Sequence, residues 1–168
     1  MRRHTPPPPA GCPAECAPAA AAIEPAALLE PTYRVDAAAF ARLRAEQEAL
    51  IDGRIREISS AELFQIGSKF HEGIVACCGN PFFLETLQRV NRLRRLIEYR
   101  AMVETRRFVA QAREHLELLD LLEAGDRAAA AERLSRHLGN VHAVKASVLG
   151  AGRSGRAPQA GGHAGPAV

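Results

Sequence analysis

Helix start and stop signals recur through the middle of the chain, and they constrain its fold more than any other feature of the sequence. Ser59 and Glu62 have the spacing of a capping box, which predicts that a helix begins there. Gly79 is typical of the end of that helix, and Asn80 followed by Pro81 is typical of the start of the next. No segment of the sequence shows sustained strand alternation or an Asn-Gly hairpin signal. The sequence therefore predicts an all-α fold.

Similar signals divide the rest of the chain into helices that short connections join. The other predicted helices cover residues 25–29, 37–50, 81 to beyond 100 with a break near 102–105, 106–124, and 127 to about 146. Because short connections favour antiparallel neighbours, we expect an antiparallel bundle of about six or seven helices.

The two ends of the chain differ in composition from its middle. Residues 1–22 are rich in proline and alanine and predict a disordered leader, and residues 149–168 predict a disordered Gly/Ala-rich tail. The helical domain is expected between them, over residues 23–148.

Composition limits the classes of protein that the chain can represent. Apolar residues make up 47% and charged residues 24%, which is typical of a soluble globule, and no apolar run reaches the length of a membrane span. The net charge of +3 is too small to indicate nucleic-acid binding. Four cysteines without C-x-x-C spacing, and no secretory segment before them, predict a reduced cytoplasmic setting.

Three histidines fall on the apolar stripes of three predicted helices: His71, His115 and His137. Their neighbours at helical spacing are Phe64, Gly67, Ile74, Val75 and Cys78 for the first, Phe108, Ala112, Leu119 and Leu122 for the second, and Ala130, Leu134, Val141 and Val144 for the third. One such ring is usually a hydrogen-bonded core side chain. Three of them need three sets of partners, which a shared divalent cation would satisfy together. Both interpretations are open from spacing alone.

Arg94 lies near the centre of the apolar stripe of its predicted helix. Since a guanidinium keeps its charge, it needs an anion or a path to water. The sequence allows an internal salt bridge, a side chain that reaches the surface, or bidentate binding of a carboxylate ligand.

Two longer segments carry a resemblance to a known family. "FHEGIVACCGNPFF" and "EHLELLDLLEAGDRAAAAERLSRHL" resemble the FCD domain, the C-terminal effector domain of FadR-type regulators in the GntR family, over about residues 23–145. The matching pairs are Phe70-His71, Gly79-Asn80, Glu114-His115, Gly125-Asp126 and His137-Leu138.

The resemblance implies a helical bundle with a central ligand cavity, in which one aspartate and three histidines hold a divalent metal such as zinc or nickel. A small carboxylate would bind over the metal, and the domain would form a homodimer. Carried over to this sequence, the metal ligands are His71, His115 and His137, and the candidate ligand-binding residues are Arg94 and Asn80.

This sequence departs from the family pattern in two ways. Gly67 stands where the metal-binding aspartate is expected, which leaves three nitrogen ligands and should weaken the metal site. The Pro/Ala-rich leader stands where the family has a winged helix-turn-helix, so we expect no specific DNA binding by this chain alone.

The leading hypothesis is therefore a ligand-sensing domain of a transcription regulator and not an enzyme. A helical metalloenzyme is the first alternative, with Glu114 or Glu72 as the base, although the sequence has no H-E-x-x-H motif. A degenerate relative that keeps the fold and binds no ligand is the second.

Overall fold

The chain folds as helices throughout the part that the structure describes. The computed structural model describes the backbone of residues 13–98 and 105–154, and side chains over 19–94 and 108–140. Six α-helices and one 3₁₀ turn, and no strand, occur in these residues: α1 Pro13–Leu29, α2 Ala37–Ile51, the turn Arg54–Arg56, α3 Ser60–Ala76, α4 Pro81–Glu98, α5 Thr105–Glu123 and α6 Arg127–Ser154. The predicted all-α fold is confirmed.

Side-chain caps begin the helices where the sequence predicted them. The Asp36 carboxylate accepts the N–H groups of Ala38 and Ala39 at the start of α2. Ser59 and Glu62 form the full capping box of α3, and the side chain of Asn80 accepts the Phe82 N–H to begin α4. Each cap satisfies N–H groups that the first helical turn leaves without a partner.

Two glycines form the tight turns between consecutive helices. Gly79 follows α3 and Gly125 follows α5. Their φ values are 74° and 80°, a left-handed backbone conformation that residues other than glycine rarely adopt. These turns are short, and α3 packs on α4 as α5 packs on α6. Each pair is therefore an antiparallel helical hairpin.

Helix α1 begins earlier in the chain than the sequence predicted. It begins at Pro13 rather than at residue 25, so residues 13–22, predicted as part of a disordered leader, are helical. Its inner face is fully buried and consists of Ala20, Glu24, Ala27 and Leu28. Helical periodicity was hard to detect because most residues of α1 are apolar on every side, while the polar Glu24 lies on the buried face. Residues 1–12 of the predicted leader lie outside the described residues.

The later helices differ from the prediction at their ends. Helix α6 continues to Ser154, past the predicted end near 146 and into the predicted tail. The predicted break near 102–105 falls largely, and residues 155–168 of the predicted tail wholly, outside the described part of the chain.

Helix α1 lies against α3, α4 and α6, while α2 packs on α3 and α5. The main core between them contains Phe40, Phe70, Leu28, Leu87, Leu118 and Leu134. Burial of each such side chain contributes about 1.5–3 kcal/mol. The inner face of α3 is formed by Leu63, Ile66, Phe70 and Ile74, whereas Phe64, which the sequence placed on it, is only half-buried.

Cys78 is fully buried in this core and Cys77 is half-buried beside it, as free thiols. Both therefore act as small packing residues, as the sequence predicted. Among the described helices, none combines the length and the apolar character that a membrane crossing requires.

Candidate metal centre

Three helices bring the three inward-facing histidines to one point in the core. His71 comes from α3, His115 from α5 and His137 from α6, and they are exposed by only 9%, 5% and 2%. One ring nitrogen from each lies within 4.8 Å of the others. The rings that sequence spacing turned inward therefore form a single cluster.

The rings of His115 and His137 are held by contacts on their outer nitrogens. His115 Nδ1 lies 3.0 Å from Gln47 Oε1 of α2, and His137 Nδ1 lies 2.5 Å from Glu114 Oε2 of α5. Because both oxygens accept, both Nδ1 atoms donate. Phe70 stacks on the His115 ring, with centroids 3.9 Å apart and planes 7° from parallel. These contacts fix the orientation of both rings.

This arrangement turns two ring nitrogens toward each other. His115 Nε2 and His137 Nε2 are 3.3 Å apart. With the protons on Nδ1, both Nε2 atoms carry lone pairs that face one another, and these repel unless a cation lies between them. The donor set therefore fits a metal such as zinc or nickel, since metal-binding histidines typically donate their other N–H to a carboxylate or carbonyl oxygen.

His71 has a different partner, a glutamate that sequence analysis did not identify. Glu24 of α1 is fully buried, and its Oε2 lies 2.6 Å from His71 Nδ1. Neither of these atoms, nor Glu24 Oε1, has a partner in hydrogen-bond geometry within the described part of the chain. The two groups are thus close but are not oriented toward each other as donor and acceptor.

Burial controls the protonation of the cluster. It lowers the pKa of His115 well below the usual value, and the neighbouring His71 and His137 lower it further. Burial and His71 also lower the pKa of His137 to about 4, although the contact with Glu114 opposes this. Both rings are therefore neutral at pH 7, the form of imidazole that binds metals.

The carboxylate beside His137 lies nearer to the surface. Burial opposes the ionisation of Glu114, but contacts with His137 and Arg133 outweigh it and lower the pKa of Glu114. Arg133 also lies 2.8 Å from Glu117 Oε2. The His137 ring is thus connected through Glu114 to a charged network that extends toward solvent.

Position 67 lies one helical turn before His71. A Cβ atom built on Gly67 would meet nothing within 4 Å, apart from its chain neighbours and its own helix backbone. A side chain such as the aspartate of the family pattern would therefore fit there, and the loss of that carboxylate is not enforced by packing.

The two candidate ligand-binding residues lie on or before α4. Asn80 uses its side-chain oxygen as the α4 cap. Arg94 is half-buried, and its Nη1 donates to Asn91 Oδ1 at 3.4 Å. Ligand binding by either residue stays a prediction.

A groove of about 350 Å³ lies between α3 and α4. Its lining includes Lys69, Glu72, Asn91 and Arg92, and it does not include the three histidines. Glu72 Oε1 accepts a hydrogen bond of 2.8 Å from Asn91 in this region. The groove is thus a feature separate from the histidine cluster, and a central cavity over the histidines stays a prediction.

Gln47 could have been found by the same rule that identified the histidines. It follows Phe40 and Leu43 on the buried stripe of α2, where a polar residue inside an apolar stripe was the signal. Glu24 lies between Ala20 and Ala27 on the buried face of α1, but α1 is apolar on most sides and gave no such signal.

Comparison with known proteins agrees with this geometry. The family model of the FCD domain matches residues 16–140, which is most of the 168-residue chain. No curated protein and no solved structure matches the chain. FCD domains can bind metal and are typical of regulators rather than of enzymes. The chain therefore belongs to the FCD family, the effector-binding domains of GntR-type transcription regulators.

Proposed function

We propose that this chain senses a small carboxylate, which binds over a divalent metal held by His71, His115 and His137. The observation that carries the proposal is the convergence of three buried ring nitrogens within 4.8 Å of one another. Family membership supports an effector-binding role, since FCD domains are the effector-binding part of GntR-type regulators.

A metal is the partner that this donor set fits best. Two Nε2 atoms face each other across 3.3 Å, and their Nδ1 atoms are already engaged by Gln47 and Glu114. Zinc and nickel both bind neutral imidazole. When bound, such an ion would act as a Lewis acid that attracts an anionic oxygen.

The space beside His71 supports a carboxylate as the effector. His71 is the most exposed of the three rings, and Gly67, one turn before it, leaves open space where a side chain could stand. An effector carboxylate entering there would reach the metal through one of its oxygens. Arg94, which Asn91 helps to hold, would pair with a further oxygen of the effector, and Asn80 is the second proposed contact.

The output of sensing follows from the regulator family. Effector binding would shift the population of helix packings at the contact between two copies of the chain, which we propose form a homodimer. We also propose that this chain alone does not bind DNA specifically. A mobility-shift assay in which the purified chain selects one DNA sequence would contradict that proposal.

Metal content tests the centre directly. Purified protein loaded with zinc or nickel is compared with His115→Ala. His142→Ala is the control, because it removes a histidine that is not one of the proposed ligands. We expect about one ion per chain in the parent and in the control and none in His115→Ala, with circular dichroism to show that all three fold. Equal metal content in His115→Ala and the parent would overturn the ligand assignment.

A thermal-shift screen of small carboxylic acids, with and without the metal, tests the sensing. An effector should raise the melting temperature in proportion to RT ln(1 + [L]/Kd), and only in the metal-loaded protein. No shift with any acid under either condition would favour a relative that keeps the fold and binds no ligand.

The described residues add no further observation for the metalloenzyme alternative. Glu114, considered above as a base, contacts His137 and Arg133, and Glu72, also considered, accepts a hydrogen bond from Asn91. Both carboxylates thus have partners within the described residues, and no second function is proposed.

A further inference from the structure

The carboxylate of Glu24 is the most unusual group in the core. It is fully buried on α1, where an ionised carboxylate normally requires hydrogen bonds or a counter-charge. Neither of its oxygens has a hydrogen-bond partner within the described part of the chain. Such a group loses its hydration on folding without direct replacement, and this points to a partner that binds after folding.

The groups around Glu24 indicate where that partner would bind. Its Oε2 lies 2.6 Å from His71 Nδ1, and that nitrogen also lacks a hydrogen bond. The His71 ring centroid is 5.3 Å from that of His137 and 5.1 Å from that of His115. The carboxylate thus lies beside one histidine of the cluster, although its oxygens are not among the ligand atoms that lie within 4.8 Å of one another.

A divalent cation would satisfy these groups together. His71 Nδ1 and the Glu24 oxygens have no hydrogen-bond partner within the described residues, and the two Nε2 atoms of His115 and His137 present lone pairs to each other. We propose that Glu24 is a ligand of the metal and supplies, from α1, the carboxylate that position 67 of α3 lacks. This inference rests on the proposed function, in which the three histidines hold the ion.

Packing of α1 explains how a residue from this helix can take that role. Ala20 and Ala27 flank Glu24 on the buried face, and both are fully buried. Small side chains on either side let α1 lie close to the neighbouring helices, which brings a glutamate within reach of His71. A metal bound in this way would connect α1 to α3, α5 and α6 through one ion.

Glu114 provides a matched control, because it also contacts the Nδ1 atom of a cluster histidine. Glu114 accepts a hydrogen bond from His137 and therefore positions the ring, whereas Glu24 has no such bond. Removing a positioning contact typically weakens metal binding 10–100-fold. Removing a ligand should weaken it more and should also change the coordination of the ion.

The experiment compares Glu24→Gln with Glu114→Gln in the full chain loaded with Co²⁺, whose visible spectrum reports coordination number. For Glu24→Gln we expect the Kd to rise by more than about 100-fold and the spectrum to change. For Glu114→Gln we expect a smaller rise and a spectrum of unchanged shape. If Glu24→Gln keeps both the Kd and the spectrum of the parent, the inference is wrong.

A rescue variant sharpens the test. Gly67→Asp adds a carboxylate one turn before His71, where a Cβ meets no neighbour within 4 Å. In the Glu24→Gln background we expect Gly67→Asp to lower the Kd for the metal by at least about tenfold, since it returns an oxygen ligand.

The parent protein gives a test that does not depend on any variant folding. In a crystal structure of the zinc-loaded full chain, we expect a Glu24 oxygen about 2.0–2.2 Å from the ion. An ion bound by the three histidines with Glu24 beyond about 3 Å would overturn this inference and leave the proposed function standing. A parent chain that binds no metal would overturn both.

Discussion

Two carboxylates contact histidines of the same cluster, and they do so in opposite environments. Glu114 lies 2.5 Å from His137 Nδ1, has a side chain 26% exposed, accepts a hydrogen bond and also contacts Arg133. Glu24 lies 2.6 Å from His71 Nδ1, has no exposed surface and takes part in no hydrogen bond within the described residues.

The difference shows that a short contact between a carboxylate and a histidine does not by itself define a stabilising interaction. The Glu114 pair is complete, because its donors and acceptors match and solvent screens the remaining charge. The Glu24 pair is incomplete, and its burial opposes folding of the metal-free chain. Local rules broken at one position of a core are typical of functional sites.

The largest expected effect concerns the packing that holds both pairs in place. Phe70 is fully buried and stacks on His115, so Phe70→Ala should lower the free energy of unfolding by about 3–5 kcal/mol. Phe82→Ala is the matched control, since Phe82 is 75% exposed and its loss should change stability by about 0.5 kcal/mol or less. Urea denaturation measures both. Equal effects of the two substitutions would contradict the packing role of Phe70.

The pH dependence of the stability of the metal-free protein tests whether burial keeps the histidine rings neutral. Burial lowers the pKa of His137 to about 4 and that of His115 well below its usual value, while both titrate near 6.5 in the unfolded chain. Between about pH 6.5 and 4 the unfolded chain therefore binds more protons, and stability falls as the pH falls.

His137 alone should account for roughly 3 kcal/mol of that loss, which is fully regained above about pH 6.5. Urea denaturation at several pH values in the presence of a chelator measures it. A stability that stays constant from pH 7 to 4.5 would show that the rings are not held neutral by burial.

Glu114→Gln tests the hydrogen-bonded pair of Glu114 and His137. It removes the charge that faces His137 and Arg133, so the metal-free protein should lose about 1–2 kcal/mol of stability. Glu117→Gln is the control, because Glu117 also contacts Arg133 but has a side chain 59% exposed and should matter by about 0.5 kcal/mol or less. Thermal unfolding distinguishes the two, and the comparison fails if Glu117→Gln has the larger effect.

Glu24→Gln should have the smallest effect on the metal-free protein and the opposite sign. A neutral amide of the same shape is easier to bury than an ionised carboxylate without hydrogen bonds, so stability should rise by about 1 kcal/mol. In the metal-loaded protein the sign should reverse, because a ligand is lost. A decrease in the melting temperature without metal would instead assign Glu24 a stabilising ion pair with His71.

Most helix boundaries could be predicted because they depend on local chemistry. The caps Asp36, Ser59 and Asn80 act on N–H groups within three residues, and the sequence therefore located the starts of α2, α3 and α4. Helix α1 could not be located this way, because its prolines disfavour a helix and its buried face carries a glutamate. Packing against α4 and α6 outweighs these local preferences.

The candidate site was predicted in part. Helical periodicity predicted that His71, His115 and His137 face the core, and the structure brings them together. The partners were missed because Gln47 lies 68 residues before His115 and Glu24 lies 47 residues before His71, and no local pattern states which helix a polar side chain will meet.

The sequence by itself determined that this chain is helical, where most of its helices begin, and which histidines face the core, because hydrogen bonds within one helical turn and the 3.6-residue period decide these features. Only the tertiary structure decided that Glu24 lies at His71 without a hydrogen bond while Glu114 binds His137 with one. The physical reason is that a pairing between helices depends on how they pack in three dimensions, and the same glutamate–histidine contact is complete near solvent and incomplete in the core.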